Sequence, residues 1–198
     1  MRRFLKALAG GVTLCILLSL CGFDGQCQAV RNNVVRLHIL ANSDTAEDQT
    51  LKLKVRDAVT AAADGWFDGA NGETEALAQI EKRLPALQEI AQEAVYKNGY
   101  AYPVQVKRCR MYFETRQYGN VTMPAGVYEA VRFVIGEGKG KNWWCVIYPP
   151  LCIRSAVNEE ALSDVLDDRQ MSLVTGGKGV AVRFKVVEIF WWIVDKFR

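Results

Sequence analysis

The sequence predicts one domain of the α/β (α+β) class, in which an antiparallel sheet packs against two N-terminal helical segments after a cleavable signal peptide. Half of the 198 residues are hydrophobic and about a quarter are charged, which is enough apolar material for one core. After a first strand at residues 34–40, apolar residues recur at helical spacing between residues 51 and 94, and from residue 102 the apolar runs have strand length. The expected boundaries are residues 1–29 for the signal peptide and 30–198 for the domain.

The first 29 residues have the three parts of a signal peptide. A basic start is followed by an apolar run over residues 7–21, which is shorter than the roughly 20 apolar residues of a spanning helix. Cys27-Gln28-Ala29 then matches the small-x-small pattern of a cleavage site, so we expect the cut after Ala29. The basic residues are Arg2, Arg3 and Lys6.

A lipoprotein signal is the alternative interpretation of the same segment. Leu18-Ser19-Leu20-Cys21 resembles a lipobox, whose cysteine would be acylated. The residue before that cysteine should be small, and Leu20 is not. Cleavage after Ala29 is therefore preferred.

The charge of the exported part argues against nucleic acid as a partner. Of the 25 basic and 22 acidic residues in the full chain, residues 1–29 remove Arg2, Arg3, Lys6 and Asp24, which leaves 22 basic and 21 acidic. A nearly neutral domain lacks the basic excess that nucleic-acid binding requires.

The N-terminal half of the domain is predicted to be a strand and two helical stretches. Residues 34–40 are rich in β-branched residues and end at turn formers. Asp44, with Glu47 three residues later, predicts a helix N-cap, and this helix should end near residues 64–65. The second stretch is interrupted by Pro85, so it is either kinked or two helices, and it ends at Asn98-Gly99.

The C-terminal half is predicted to be mostly strands. Residues 104–114, 127–135 and 143–147 have strand character, and the short loops between them imply antiparallel pairing. A weaker helix is expected over residues 159–167. Residues 180–198 are expected to form a strand and then a short helix, and the cluster Phe190, Trp191 and Trp192 either packs on the domain or rests on a membrane surface.

No catalytic, metal or cofactor site is expected. His38 is the single histidine, and a hydrogen-bonded strand histidine is a simpler interpretation than a catalytic base. No C-x₂-C pair accompanies it, which disfavours zinc. The glycine-rich residues 136–142 resemble a phosphate loop, but Asn142 follows Lys141 where a P-loop requires serine or threonine, so we expect a flexible hairpin loop.

The features that remain favour binding to a partner. Trp143, Trp144 and Tyr148 form an aromatic corner beside Lys139 and Lys141, and interfaces reuse such anchors. Adjacent strand residues point to opposite faces, so one tryptophan should lie outside the core. The loop that contains Asn42 and Asp44 is the second choice.

The cysteines predict one disulfide and one free thiol in the exported domain. Removal of residues 1–29 leaves Cys109, Cys145 and Cys152. We expect a disulfide between Cys145 and Cys152, because Pro149 and Pro150 can turn the chain back between them. Cys109 should then be a buried free thiol.

Several segments together resemble the stage II sporulation protein R family. They are VRLHILANSD at 35–44, DQ at 48–49, LKLKVRD at 51–57, MPAGVY at 123–128, GKGKNWWCV at 138–146, PPLC at 149–152 and VRF at 182–184. The similarity covers nearly the whole exported chain, with looser matches over residues 65–99 and after residue 190.

This resemblance implies a secreted signalling protein and not an enzyme. In an endospore-forming bacterium, the forespore would export it into the space between the two membranes. There it would activate a membrane-embedded aspartic protease of the mother cell, of the stage II sporulation protein GA type, which processes the precursor of sigma-E. The alternative is an exported hydrolase that uses His38 with a cysteine or with the acids near Asp44.

We predict that the exported form begins at Val30. Edman sequencing or intact-mass analysis of the secreted protein measures this directly. A chain that begins at an acylated Cys21 would replace the signal-peptide interpretation with the lipoprotein one.

Overall fold

The computed structural model describes residues 2–67, 70, 72–153, 156–157, 160–176, 180, 184–185 and 188–189. Its elements are α1 (Arg2–Arg31), β1 (Val35–Leu40), α2 (Ala46–Ala62), α3 (Glu73–Lys97), β2 (Val104–Phe113), β3 (Arg116–Tyr118), β4 (Val121–Met123), β5 (Gly126–Ile135), β6 (Asn142–Tyr148), β7 (Cys152–Ile153), β8 (Ala156–Val157), α4 (Glu160–Ser163) and α5 (Asp168–Val174). A four-stranded sheet has the order β2-β5-β1-β6. The predicted α+β class is confirmed.

The first strand of the chain lies inside the sheet. β1 pairs in parallel with β5 and antiparallel with β6, and all six of its residues are buried. A strand with neighbours on both sides has its backbone groups hydrogen-bonded within the sheet, so an apolar sequence suits it. The sheet is therefore mixed, and the antiparallel pairing expected from the short loops holds for β2 with β5 and for β1 with β6.

Helices α2 and α3 cover one face of the sheet, which we call the first face. Leu37 and Ile39 of β1 meet Val55, Ile80 and Leu87 there, and all five side chains are fully buried. Burying each side chain of this size contributes about 1.5–3 kcal/mol. Of the two predicted possibilities for residues 73–97, the structure has one continuous helix with Pro85 inside it.

The described residues cover only part of the opposite face, which we call the second face. The end of α1 contributes Cys27 and Val30 to a second apolar cluster, together with Phe113 and Tyr128 from the sheet. The hairpin formed by β3 and β4 and the helices α4 and α5 complete this cluster. The hairpin was not predicted, because its strands have only three residues each.

The C-terminal predictions are only partly correct. The helix expected over residues 159–167 is limited to α4 at residues 160–163, and α5 begins only after the predicted range, where Asp167 forms a capping box with Gln170. The strand expected around Phe184 is wrong, because the described residues there are helical: 180, 184, 185, 188 and 189. The cluster Phe190, Trp191 and Trp192 lies outside the described residues.

Within the described part of the chain, no helix combines the length and the apolar character needed to cross a bilayer.

Thr45, and not Asp44, caps the first helix of the domain. Its extended backbone (φ −62°, ψ 155°) places the hydroxyl to accept a hydrogen bond from the Asp48 amide at 3.3 Å. The Asp44 carboxylate instead accepts a hydrogen bond from the Lys141 amide at 2.6 Å. The cap prediction was wrong by one residue, because that distant amide uses Asp44.

We expect Thr45→Ala to lower the free energy of unfolding by about 1 kcal/mol, because the Asp48 amide loses its acceptor. Thr50→Ala is the matched control. Thr50 is exposed within the same helix, and its hydroxyl donates a hydrogen bond to the Ala46 carbonyl oxygen of that helix. Urea unfolding of both variants measures the difference. Equal stability of the two variants would contradict the role of Thr45.

Candidate functional site

Two loops meet at one edge of the main sheet. They are residues 41–45, which follow β1, and residues 136–141, which connect β5 to β6, and we call them the loop pair. The amides of Lys139 and Gly140 donate hydrogen bonds to the carbonyl oxygens of Asn42 and Ala41, each at 3.0 Å. The Glu137 amide donates to the side-chain oxygen of Asn42 at 3.0 Å. With the bond between Lys141 and Asp44, four hydrogen bonds fix the second loop on the first.

The loop over residues 136–141 is therefore not the hairpin expected from the sequence. β5 and β6 are separated by β1, so this connection crosses the end of β1. The glycines that suggested flexibility instead allow the two loops to pack closely against each other. A Cβ atom on Gly140 would collide with the carbonyl oxygen of Ser43, and one on Gly136, at φ 57°, would collide with the side chain of Asn42.

A buried carboxylate holds the first loop in place. Oδ2 of Asp48 accepts hydrogen bonds from Ser43 Oγ at 2.6 Å and from Asn42 Nδ2 at 2.8 Å. Burial alone would raise the pKa of Asp48, but the hydrogen bonds from Ser43, Asn42 and Tyr102 outweigh it and hold the pKa below its usual value. Asn42 thus connects the Asp48 carboxylate of α2 to the Glu137 amide of the second loop.

A buried lysine ties the second loop to α2. Nζ of Lys52 donates to the Lys141 carbonyl oxygen at 2.9 Å and to Gln49 Oε1 at 2.6 Å. Burial lowers the pKa of Lys52, while the Asp44 carboxylate acts in the opposite direction. Sequence periodicity alone gave no sign of this role.

The side chains of Lys139 and Lys141 are exposed although their backbone is fixed. Lys139 Nζ lies 2.7 Å from Glu137 Oε2, and this bond raises the pKa of Lys139. An exposed ion pair of this kind adds little to stability. The loop pair therefore displays two cations on a backbone that is ordered by other groups.

The adjacent tryptophans point to opposite faces of the sheet, as predicted, and both are half-buried. On the first face, the guanidinium of Arg56 lies 4.5 Å from the ring centre of Trp143, which is a cation–π contact. On the second face, Trp144 stacks on His38 with ring centres 4.0 Å apart and an 8° angle between the planes. Each tryptophan ring is thus fixed by a neighbouring side chain of the domain.

Tyr148, the third member of the predicted aromatic corner, is a core residue in this structure. It is 2% exposed, its hydroxyl donates to the Ala70 carbonyl oxygen at 3.2 Å, and it accepts from the Gly72 amide at 3.0 Å. Its ring makes an edge contact with Phe67. The exposed part of the aromatic corner is therefore reduced to the two tryptophans.

His38 is enclosed and is 2% exposed. Its Nε2 atom lies 2.6 Å from Asn142 Oδ1, which requires the proton on Nε2. Within the described residues, its Nδ1 atom is buried without a hydrogen-bond partner. Burial lowers the pKa of His38, and the charge of Arg132 lowers it further, so the neutral ring is favoured.

The cysteines are in two states. Cys145 is disulfide-bonded, and Cys27 and Cys109 are free. Cys109 was expected to be fully buried, but it is only half-buried. The side chain of Cys152 lies outside the described residues, so the pairing of Cys145 with Cys152 stays a prediction. Among the described residues, no three cysteine, histidine or acidic side chains come together as a metal site.

We expect Gly140→Ala to destabilise the protein more than Gly99→Ala. Gly99, at φ 83°, has open space around it, so its substitution costs only the strain of a left-handed residue, about 1–2 kcal/mol. Gly140→Ala also forces a carbonyl oxygen of the other loop to move. Chemical unfolding of both variants compares the two costs, and a smaller loss for Gly140→Ala would argue against a fixed loop pair.

We expect stability to fall as the pH drops below about 6.5, the ordinary pKa of histidine, because the unfolded chain then binds a proton that folded His38 resists. The loss should continue until the pH falls below the lowered pKa of folded His38. His38→Gln removes this contribution, so its unfolding free energy should change less between pH 7 and pH 5. Equal pH dependence in both proteins would assign the effect to other groups.

Comparison with known proteins identifies the chain by family. The family described as Stage II sporulation protein R (spore_II_R) matches residues 31–158, which include the main sheet and the loop pair. Stage II sporulation protein R of Bacillus subtilis (strain 168) is 39% identical over 144 residues, which cover 73% of this chain and 64% of that protein. The chain thus spans less than two thirds of the length of this relative. No solved structure matches the chain. Because the family match covers more than half of the chain, the protein belongs to the stage II sporulation protein R family.

Proposed function

We propose that this protein is a secreted signalling ligand of sporulation. It acts in the space between forespore and mother cell and activates a membrane-embedded aspartic protease of the stage II sporulation protein GA type, which processes the sigma-E precursor. Family membership supports the role in sporulation. The observation that carries the rest is the loop pair, where two of the segments that resemble the family, residues 35–44 and 138–146, form one ordered and partly exposed surface.

A fixed surface suits a ligand, because residues ordered before binding lose little entropy when a partner docks. The backbone of residues 136–141 is held by hydrogen bonds to residues 41–44. Its exposed side chains at Lys139 and Lys141, with Asn142 and half-buried Trp144 beside them, remain available for contact. The side chains of Asn42 and Asp44 accept hydrogen bonds from the Glu137 and Lys141 amides of this surface.

Activation by a ligand is a matter of differential binding. The ligand must bind the active form of the protease more tightly than the inactive form, and no chemistry on the ligand is required. A coupling of about 1–3 kcal/mol increases the active fraction of a mostly inactive protease about 5- to 150-fold. A few contacts at the loop pair are sufficient for an effect of this size.

The surroundings of His38 favour binding over the alternative of an exported hydrolase. A catalytic base needs a nitrogen that can reach a nucleophile, but Nε2 is hydrogen-bonded to Asn142, Nδ1 is buried, and Trp144 covers the ring. His38→Gln, which retains a side-chain amide near Asn142, should still support processing of the sigma-E precursor. Hydrolysis of a substrate by the purified protein, lost together with signalling in His38→Gln, would support the hydrolase instead.

We expect Lys139→Ala with Lys141→Ala to reduce processing of the sigma-E precursor while secretion and melting temperature stay nearly unchanged, because backbone atoms hold the loop pair. The assay uses sporulating cells that lack their own family member and express this chain. Lys54→Ala with Lys82→Ala is the matched control, since both lysines are exposed on α2 and α3. Full processing with the first pair of substitutions would remove these two side chains from the contact surface.

A further inference from the structure

One row of side chains crosses the second face of the sheet from edge to edge. Lys107 of β2 lies opposite Arg132 of β5, Arg132 lies beside His38 of β1, and His38 lies opposite Trp144 of β6. Paired residues of neighbouring strands point to the same face, and three strand spacings make the row about 14 Å long. We call these four residues the cross-strand row.

The row lies beside the covered part of the second face. The next row towards α1 contains Ala130, Arg36 and Val146, which are at most 2% exposed under the second apolar cluster. In the cross-strand row, Lys107 is exposed, and Arg132 and Trp144 are half-buried. A boundary between covered and uncovered sheet therefore runs between these two rows.

The cations of the row lack acidic partners within the described part of the chain. On the other face of β2, Arg108 lies 2.9 Å from Glu129 and 3.7 Å from Glu81, and Arg110 lies 3.5 Å from Glu129. No described acid is within 4.0 Å of Lys107 or Arg132, although they sit on the same two strands. The same strands thus neutralise their charges on one face and present them on the other.

Arg132 also has a hydrogen-bonding capacity that the described chain does not use. Its Nε atom is buried and has no hydrogen-bond partner among the described residues. Leaving such a donor unsatisfied costs about 1–3 kcal/mol, and no described group offsets this cost. A carboxylate is the acceptor that best satisfies a guanidinium, since it matches both its charge and its geometry.

Trp144 gives the row a fixed apolar end. Its ring stacks on His38 and makes an edge contact with Phe113 at 4.8 Å. A half-exposed ring held from two sides loses little freedom on binding, which is typical of interface anchors. The row therefore has cations at one end and a fixed aromatic ring at the other. Such a short surface suits a segment that carries both acidic and apolar side chains.

We propose that the cross-strand row binds an acidic segment of a protein partner, with carboxylates at Lys107 and Arg132 and an apolar side chain on Trp144. The inference rests on the proposed function, because the segment belongs to the protein that the ligand activates. A membrane surface fits less well, since the full chain has a net charge of only +3 and the two cations occupy one narrow row.

Site-specific photo-crosslinking in sporulating cells tests this assignment on the full-length chain. A benzoylphenylalanine at Gln105, which is exposed two residues from Lys107 on the same face, should form an adduct with a segment rich in aspartate and glutamate. The same probe at Glu89, exposed on α3, is the control position. Mass spectrometry identifies the crosslinked peptide.

Charge-reversed variants provide a second test in the same crosslinking experiment. Lys107→Glu with Arg132→Glu should reduce the adduct at position 105 more than about tenfold, because like charges then face each other. Lys54→Glu with Lys82→Glu changes the net charge equally on α2 and α3 and should leave the adduct unchanged. Lys107→Gln with Arg132→Gln, which places no acid in the row, should give an intermediate loss and guards against misfolding of the reversed variant.

Several results would overturn the assignment: an adduct with lipid, an adduct with a segment that is not acidic, no adduct above that at position 89, or equal loss in both charge-reversed proteins. Precursor processing in the same cells separates this proposal from the proposed function. An acidic adduct that depends on Lys107 and Arg132 without any processing would contradict the signalling role alone. Normal processing without such an adduct would contradict the cross-strand row alone.

Discussion

The insertion of β1 between β5 and β6 determines where the other parts of the domain lie. Because β1 is parallel to β5, both strands end at the same edge of the sheet, and antiparallel β6 begins there. The connection from β5 to β6 must cross the end of β1, so it meets the loop that follows β1. The loop pair, with its hydrogen bonds to Asn42 and Asp44, is therefore a consequence of strand order.

The sequence was informative wherever structure depends on neighbours along the chain. Helical spacing predicted α2 and α3, and apolar runs predicted β1, β2, β5 and β6 to within a few residues. It was uninformative where distant segments meet. The glycines at 136, 138 and 140 suit a flexible loop and a tightly packed loop equally well, and only the position of β1 decides between them. The same limit applies to Asp44, whose carboxylate serves the distant Lys141 amide instead of the adjacent helix.

The buried arginine of β1 looks ordinary in sequence. Arg36 is a cation in an apolar strand, yet it is completely buried, with Phe113, Tyr118 and Tyr128 around its guanidinium. Its Nε donates to the Cys145 carbonyl oxygen and one Nη to the Tyr118 hydroxyl. A buried cation needs such partners, and they come from β6 and β3, far away in sequence. Strand periodicity alone therefore identified the strand but not the reason for its arginine.

The predicted removal of residues 1–29 would change the surface of the domain, because α1 packs on it. Phe23 lies 5.5 Å from Phe184, Cys27 is 2% exposed, and Asp24 pairs with Arg31. A chain cut after Ala29 keeps Val30 and Arg31 but gives up all three of these neighbours. Phe184 would then lose its contact with Phe23, and Arg31 would retain only its bond to the Ala125 carbonyl oxygen among these contacts. The precursor and the released protein would thus expose chemically different surfaces. An antibody raised against one form would not report reliably on the other.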